Sequence, residues 1–233
     1  MPARPFVDQP VGDVHAARAL AARVTHSLDL PEPVLLRVGM NALFRAGDVV
    51  VRVGRPSAPA DLPGGYPVPP PTAFPWWDFE ALMADVGDEI DAGARAGLDE
   101  AIVRNAEWRR LDGAHVVCHG DVHPGNVVMT ADGPVLIDWD LMCTAPAGWD
   151  HAMLLTLAER WGGDPGAYPA FAGGYGKSMA DDGAARRFAE LRNVAATLMR
   201  VRAGRTDPLA RAEAKRRLRY WRGDPDAPAW RAQ

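Results

Sequence analysis

Eight prolines crowd the stretch Arg55–Pro75: Pro56, Pro59, Pro63, Pro67, Pro69, Pro70, Pro71 and Pro75, with Gly64-Gly65 among them. Proline has no amide hydrogen to give and locks its own φ, so neither a helix nor an interior strand can run through such a stretch. It reads as an extended connector. A loop of about twenty residues is longer than compact domains use between elements, which makes it a linker or a functional segment. The chain is therefore expected to form two lobes, 1–57 and 76–233, joined by a connector over 58–75.

Before the connector, Val14, Ala17, Leu20, Ala21, Val24 and Leu28 recur at helical spacing behind Asp13, a good N-cap, and Pro31 and Pro33 end the run. Three short β-type runs follow, Val34–Val38, Ala42–Arg45 and Val49–Val53, separated by Gly39 and by the turn Ala46-Gly47-Asp48. They predict a small antiparallel sheet. After the connector, helices are expected over Phe79–Val86, Ala94–Leu111, Trp149–Trp161, Asp181–Val201 and Pro208–Trp221, followed by a frayed tail. The class is α+β.

A chain of 233 residues can bury a good core, and its net charge of −4 gives no general attraction to nucleic acid or an anionic membrane. The arginine-rich run Arg211–Arg222 reads as one solvated helix face. Two cysteines, Cys118 and Cys143, make no disulfide framework and suit a reducing compartment. No apolar run approaches a membrane span. The expectation is a soluble, cytoplasmic protein.

The chemistry is concentrated in Val116–Asp140, VVCHGDVHPGNVVMTADGPVLIDWD. Asn126–Thr130 reads as a strand, Ala131-Asp132-Gly133 as its turn and Pro134–Ile137 as the return strand. Asn126 and Asp138 are symmetric about Asp132, which predicts that they meet at the open end of the hairpin. Asp121 lies just before, in a loop tightened by Gly120, Pro124 and Gly125. One amide oxygen and two carboxylates would converge there, a donor set suited to Mg²⁺. His119-Gly120-Asp121 followed by Asn126 also keeps the spacing of the kinase pattern H-R-D-x-x-x-x-N, with Asp138 as the later metal-binding aspartate. Asp121 would accept or orient a hydroxyl proton while Asn126 and Asp138 hold the metal.

His119–Val127 (HGDVHPGNV), together with Ile137-Asp138-Trp139-Asp140, resembles the aminoglycoside phosphotransferase and choline kinase-like family, relatives of protein kinases. Val38–Val53 is similar to that family's nucleotide-covering hairpin and following strand, and Ala145–Leu154 to the segment after the metal aspartate. The resemblance implies a protein-kinase-like two-lobed fold and transfer of a phosphoryl group from ATP, or GTP, to a small-molecule hydroxyl. It implies Asp121 and His119 as catalytic-loop residues, Asn126, Asp138 and Asp140 toward Mg²⁺, and Arg52 and Asn41 toward the nucleotide. The chain departs from the family pattern after Arg52: no helical segment lies between Arg52 and Phe79 to carry a glutamate partner, and the hinge strands are not evident. The N-terminal lobe thus reads as truncated. That leaves a second reading, a non-catalytic relative that binds a ligand or partner, and a third, a metal-dependent hydrolase using the same carboxylates.

Other residues have two readings each. Asp140 is a supplementary metal ligand, on the face of Asp138 if the strand continues, or a solvated loop carboxylate. His115, His119 and His123 recur every four residues, but a strand followed by a loop would not bring them to one zinc ion as a helix would. His119 suits bracing of the loop, and His123 either a substrate contact or a structural bond. Asp150 reads as a cap or a buried loop anchor, and Trp76-Trp77 as closing an interface or lining a cleft. Asp181, Asp182 and Glu190 are candidates to face a cationic acceptor. An exposed sheet edge at Val49–Val53 is compatible with a homodimer.

Overall fold

Asp13 turns its carboxylate back onto the His15 and Ala16 N–H groups, at 2.8 and 3.3 Å, and so starts helix α1 (Val14–Ser27). This computed structural model describes residues 13–38, 42–53, 68–111, 113–130 and 133–231. The chain divides into two units, 1–66 and 67–233. In the first, Ala17, Ala21 and Thr25, four residues apart, form the buried stripe of α1. Strands β1 (Val34–Val38), β2 (Ala42–Ala46) and β3 (Val49–Val53) pair antiparallel in that order. Ala46 faces Val49, so Gly47-Asp48 close a two-residue hairpin. The inner face of the sheet, with Ala42, Phe44 and Val53 buried and Leu35 and Val51 beside them, packs on Ala17 and Ala21. Two alanines leave room for Phe44 to be fully buried.

The second unit is built around α7 (Gly183–Ala203), which begins where Asp182 accepts the Ala185 N–H at 2.8 Å. Phe188, Leu191, Val194, Leu198 and Val201 are buried along it. Around it pack α2 (Phe79–Val86), α3 (Ala92–Arg104), α4 (Gly148–Leu155) and α8 (Pro208–Trp221). Trp77, Phe79, Trp108, Trp149 and Phe188 form one aromatic cluster, with Trp77 and Trp149 centroids 4.4 Å apart. Trp77 is therefore a core residue. Two further pairs of strands lie in this unit, β4 (His115–Cys118) with β7 (Cys143–Pro146) and β5 (Val127–Thr130) with β6 (Gly133–Leu136). The architecture is α+β, with small antiparallel sheets and a mainly helical C-terminal part.

Several expectations need correction. The helix expected over Ala94–Leu111 stops at Arg104, where the Asn105 side chain takes the Ala101 carbonyl at 2.8 Å and Glu190 at 2.7 Å. A 3₁₀ segment, Ala106–Arg110, follows and ends on Leu111 in a left-handed conformation. Trp149–Trp161 is likewise two helices, α4 and α5 (Leu157–Trp161), broken at Thr156. Helix α6 (Ala167–Tyr175) was hidden by Pro169, Gly173 and Gly174, and β7 is too short to show periodicity. The tail is not frayed through Arg231. Trp230 is 1% exposed, donates its N–H to the Arg160 carbonyl at 2.7 Å and packs on Trp161 and Tyr220. Between Val53 and Phe79 the described residues, 68–78, form only two 3₁₀ turns, Pro71–Ala73 and Pro75–Trp77; positions 54–67 lie outside them. Among the described residues no helix is long and apolar enough to cross a membrane.

Candidate active site

Strand β4 leads directly into His119-Gly120-Asp121. Gly120 has φ +84°, and a Cβ there would overlap the Leu141 carbonyl oxygen, so only glycine permits this turn. Asp150, buried in the first turn of α4, accepts the His119 and Gly120 N–H groups, each at 2.8 Å. Of its two readings, Asp150 is the loop anchor.

His119 is also buried. Its Nδ1 accepts the Asp121 N–H at 3.2 Å, which places the ring hydrogen on Nε2, and Nε2 donates to the Ile137 carbonyl at 2.9 Å. One imidazole thereby ties the turn to the end of β6. Trp139 meets it edge-on at 4.6 Å. His123 accepts the Gly125 N–H through Nδ1 at 3.1 Å, and its Nε2 lies 3.6 Å from Asp121 Oδ2. His115 bonds elsewhere, to the Leu111 carbonyl at 2.6 Å.

The Asp121 carboxylate is held from three sides. The Asn126 amide nitrogen donates to the Asp121 carbonyl at 2.9 Å and to Oδ2 at 3.3 Å. Both acceptors are oxygens, so the amide nitrogen of Asn126 must face Asp121, and its Oδ1 is turned away. His123 stands at the same oxygen. Arg192, from the middle of α7, donates through Nη2 to Asp121 Oδ1 and through Nη1 to the Gly120 carbonyl at 2.6 Å. Burial pushes the Asp121 pKa up, but the His123 hydrogen bond and the Arg192 charge outweigh it and hold the carboxyl well below the usual carboxylate range. Asp121 is an anion and a weak base.

The hairpin differs from expectation by one residue. Val127 pairs with Leu136 and Thr130 with Gly133, and Ile137 donates to the Asn126 carbonyl at 2.8 Å. Ile137 rather than Asp138 stands opposite Asn126, because two residues, not three, separate the paired strand ends. Asn126 ends the 3₁₀ turn Pro124–Asn126 instead of opening β5. Asp138 follows in a left-handed conformation, φ 69° and ψ 59°, which stops the strand before the 3₁₀ turn Trp139–Leu141. The continued strand that would carry Asp140 on the face of Asp138 does not form. Asp138 is half-buried and Asp140 exposed.

Arg52 lies exposed on β3 opposite Leu43, and Asn41 falls outside the described residues, as do Gly39 and the Ala131-Asp132 turn. Two of the three acidic candidates for a cationic acceptor have structural partners: Asp182 caps α7, and Glu190 bonds Arg104 and Asn105. Arg192 was missed. Its one signal was a cation flanked by Leu191 and Asn193, both buried, inside an apolar helical run.

Asn126 and Asp138 carry hard oxygen donors, the type Mg²⁺ takes beside phosphate and water. They do not make a self-sufficient cage: among the described residues no group of three or more His, Cys, Asp or Glu side chains is arranged to hold a metal.

A family model described as the phosphotransferase enzyme family, APH, matches residues 40–191. Two solved structures of spectinomycin phosphotransferase, APH(9)-Ia, are similar over 90% of this chain. The complex with ADP and spectinomycin has 15% identity, a TM-score of 0.48 and 79% of its own chain covered. The AMP-bound complex has 13%, 0.45 and 81%. No curated protein matches the chain. The match over residues 40–191 takes in the whole segment from His119 to Asp150 and reaches almost to Arg192, and the chain belongs to the APH family of phosphotransferase enzymes.

Proposed function

We propose that the chain transfers the γ-phosphoryl group of ATP, or GTP, to a hydroxyl of a small molecule. What supports this most is the paired arrangement of Asp121 and Asn126, in which one side chain orients the other while keeping an oxygen for a cation. Phosphoryl transfer passes through a loose transition state and asks a protein mainly to position groups and stabilise charge. A weakly basic Asp121, ionised before the reaction, suits that demand. It accepts the hydrogen bond of the acceptor hydroxyl and aims its oxygen, and takes the proton late.

Asn126 Oδ1 and Asp138 are the donors assigned to Mg²⁺; Asp140 is not among them, since the strand that would have set it beside Asp138 does not form. A bound Mg²⁺ would supply charge neutralisation at the phosphates. His119 is a positioning residue, since both its ring nitrogens are committed to backbone groups. Arg52 is assigned to the nucleotide phosphates and Asn41 to the nucleotide, as the family resemblance implies.

Thermal unfolding with ATP and GTP, with and without Mg²⁺, tests the reading together with a nucleotide-hydrolysis assay. The expected result is a Mg²⁺-dependent rise in Tm and slow hydrolysis, abolished in Asp121→Asn and Asp138→Asn. Absence of both effects in the unaltered protein selects a non-catalytic binding role. Hydrolysis that survives both substitutions would sink this mechanism.

A further inference from the structure

We propose that Arg192 is a positioning residue for the reaction, registering the Asp121 carboxylate against the backbone of its own loop; this rests on the phosphotransfer reading above. The observation is the shape of the contact. One guanidinium reaches two acceptors of different kinds, the Gly120 carbonyl through Nη1 and Asp121 Oδ1 through Nη2. The first is fixed. Gly120 has its N–H on Asp150 and has no space on its Cα side for any movement toward Leu141. The second hangs on a rotatable side chain. A planar fork that holds both adds a restraint from α7 to those that Asn126 and His123 give from the loop, with a defined geometry that a point charge cannot set.

The rest of the site makes this restraint useful. With Oδ1 on Arg192, the other carboxylate oxygen, Oδ2, is the one that meets Asn126 and His123. The two oxygens thus have separate duties, one toward α7 and one toward the loop that carries the proposed metal donor. Arg192 stands on the longest helix of the unit, between buried Leu191 and Asn193, with its side chain 14% exposed. A group held by a rigid element positions more closely than one held by a loop. Asn193 anchors that turn of α7 in turn, accepting from the Trp161 indole at 3.1 Å.

A plain ion pair would give stability without this geometric duty, and the two are separable by experiment. The probe is Mg²⁺-ATP with water as acceptor, and the variants are Arg192→Ala, Arg192→Gln and Arg192→Lys, so that one unfolded variant does not end the test. The expected result is a fall in kcat of about 10- to 100-fold for Arg192→Ala, the order that a misplaced reacting group costs. The KM for ATP stays within about threefold, since Arg192 is not assigned to the nucleotide. Arg192→Lys recovers part, and guanidinium ion restores the alanine variant where methylammonium does not. Crystal structures give an independent readout: in Arg192→Ala the Asp121 carboxylate leaves the position it holds beside the Gly120 carbonyl. An alanine variant with unchanged kcat and an unmoved carboxylate overturns the inference while leaving the phosphotransfer reading intact. An unaltered protein that neither binds nor hydrolyses ATP overturns both.

Discussion

Asp150 lies thirty-one residues beyond His119 in the chain, yet its Oδ2 accepts the His119 N–H at 2.8 Å while Oδ1 accepts that of Gly120. A buried carboxylate with two backbone donors is a strong element, because hydrogen bonds to charged groups contribute about 1.5–3 kcal/mol each. Asp150→Ala leaves two buried N–H groups without an acceptor and should cost about 3 kcal/mol of stability, read from urea unfolding. Asp150→Asn should be nearly as costly, since its amide NH₂ would face one of the two donors. An asparagine variant as stable as the unaltered protein would show that the charge contributes nothing.

Two glycines with positive φ make opposite predictions about space. Gly120 (φ +84°) is walled in by the Leu141 carbonyl, whereas Gly133 (φ +115°) has nothing within 4 Å of an added Cβ. Gly133→Ala should cost only the backbone term, about 1–2 kcal/mol. Gly120→Ala adds a collision with backbone that cannot turn aside, so it should lose at least about 2 kcal/mol more or fail to fold. Equal midpoints for the two variants in parallel unfolding experiments would contradict the packing at Leu141.

The candidate segment was legible in the sequence because its residues are local: Asp121, Asn126 and Asp138 lie within eighteen positions, and turn chemistry carries much of their geometry. The register error at Asp138 came from the same source, since a two-residue and a three-residue turn differ by one side-chain alternation. Asp150 and Arg192 were harder. Their partners are 31 and 71 residues away, and no short-range pattern encodes which helix face meets the loop. Helix α1 and its cap were readable for the reason Arg192 was not: capping and amphipathic spacing are decided within a few residues. The tail reads as polar and proline-rich, and only the packing of Trp230 shows why it is ordered.

At low pH one surface contact should report itself. Asp91 caps α3 and takes two bonds from Arg222, at 2.9 and 2.7 Å; these lower its pKa from 3.8 to about 2, outweighing the upward push of burial, and the Ala94 N–H adds a lesser lowering. A carboxyl with a depressed folded pKa adds stability above its unfolded value and loses it as pH falls through the folded one. The contribution should therefore be complete above about pH 4 and gone below about pH 2. Both side chains are over two-fifths exposed, so screening keeps the ion-pair part below about 1 kcal/mol. Asp91→Asn should flatten the stability–pH curve in that window alone, and a difference persisting unchanged at pH 2 would exclude ionisation as its cause.

The buried pair Glu213–Arg217 gives the largest expected effect outside the site. Arg217 is 1% exposed, and burial lowers its pKa to about 10 despite the Glu213 bond. It donates to Glu213 at 3.0 Å, to the Ala196 carbonyl at 2.8 Å and to the Arg231 carbonyl at 3.1 Å, and stands 4.6 Å over the Trp161 ring. Glu213 also accepts the Arg231 N–H at 2.8 Å. The pair thus fastens the C-terminal tail to α7 and α8. Glu213→Gln strands the buried Arg217 charge and should cost about 3–5 kcal/mol, whereas Arg217→Met leaves Glu213 its Arg216 contact at 3.3 Å and should cost less. The double variant leaves no stranded charge and should cost less than the sum by about 1–3 kcal/mol. Hydrogen exchange at the Trp230 backbone amide, bonded to the Arg160 carbonyl, reads the tail separately: its protection should fall in Arg217→Met, as the Arg231 bond is lost. Strict additivity in the double-mutant cycle would mean that the two side chains do not act as a pair.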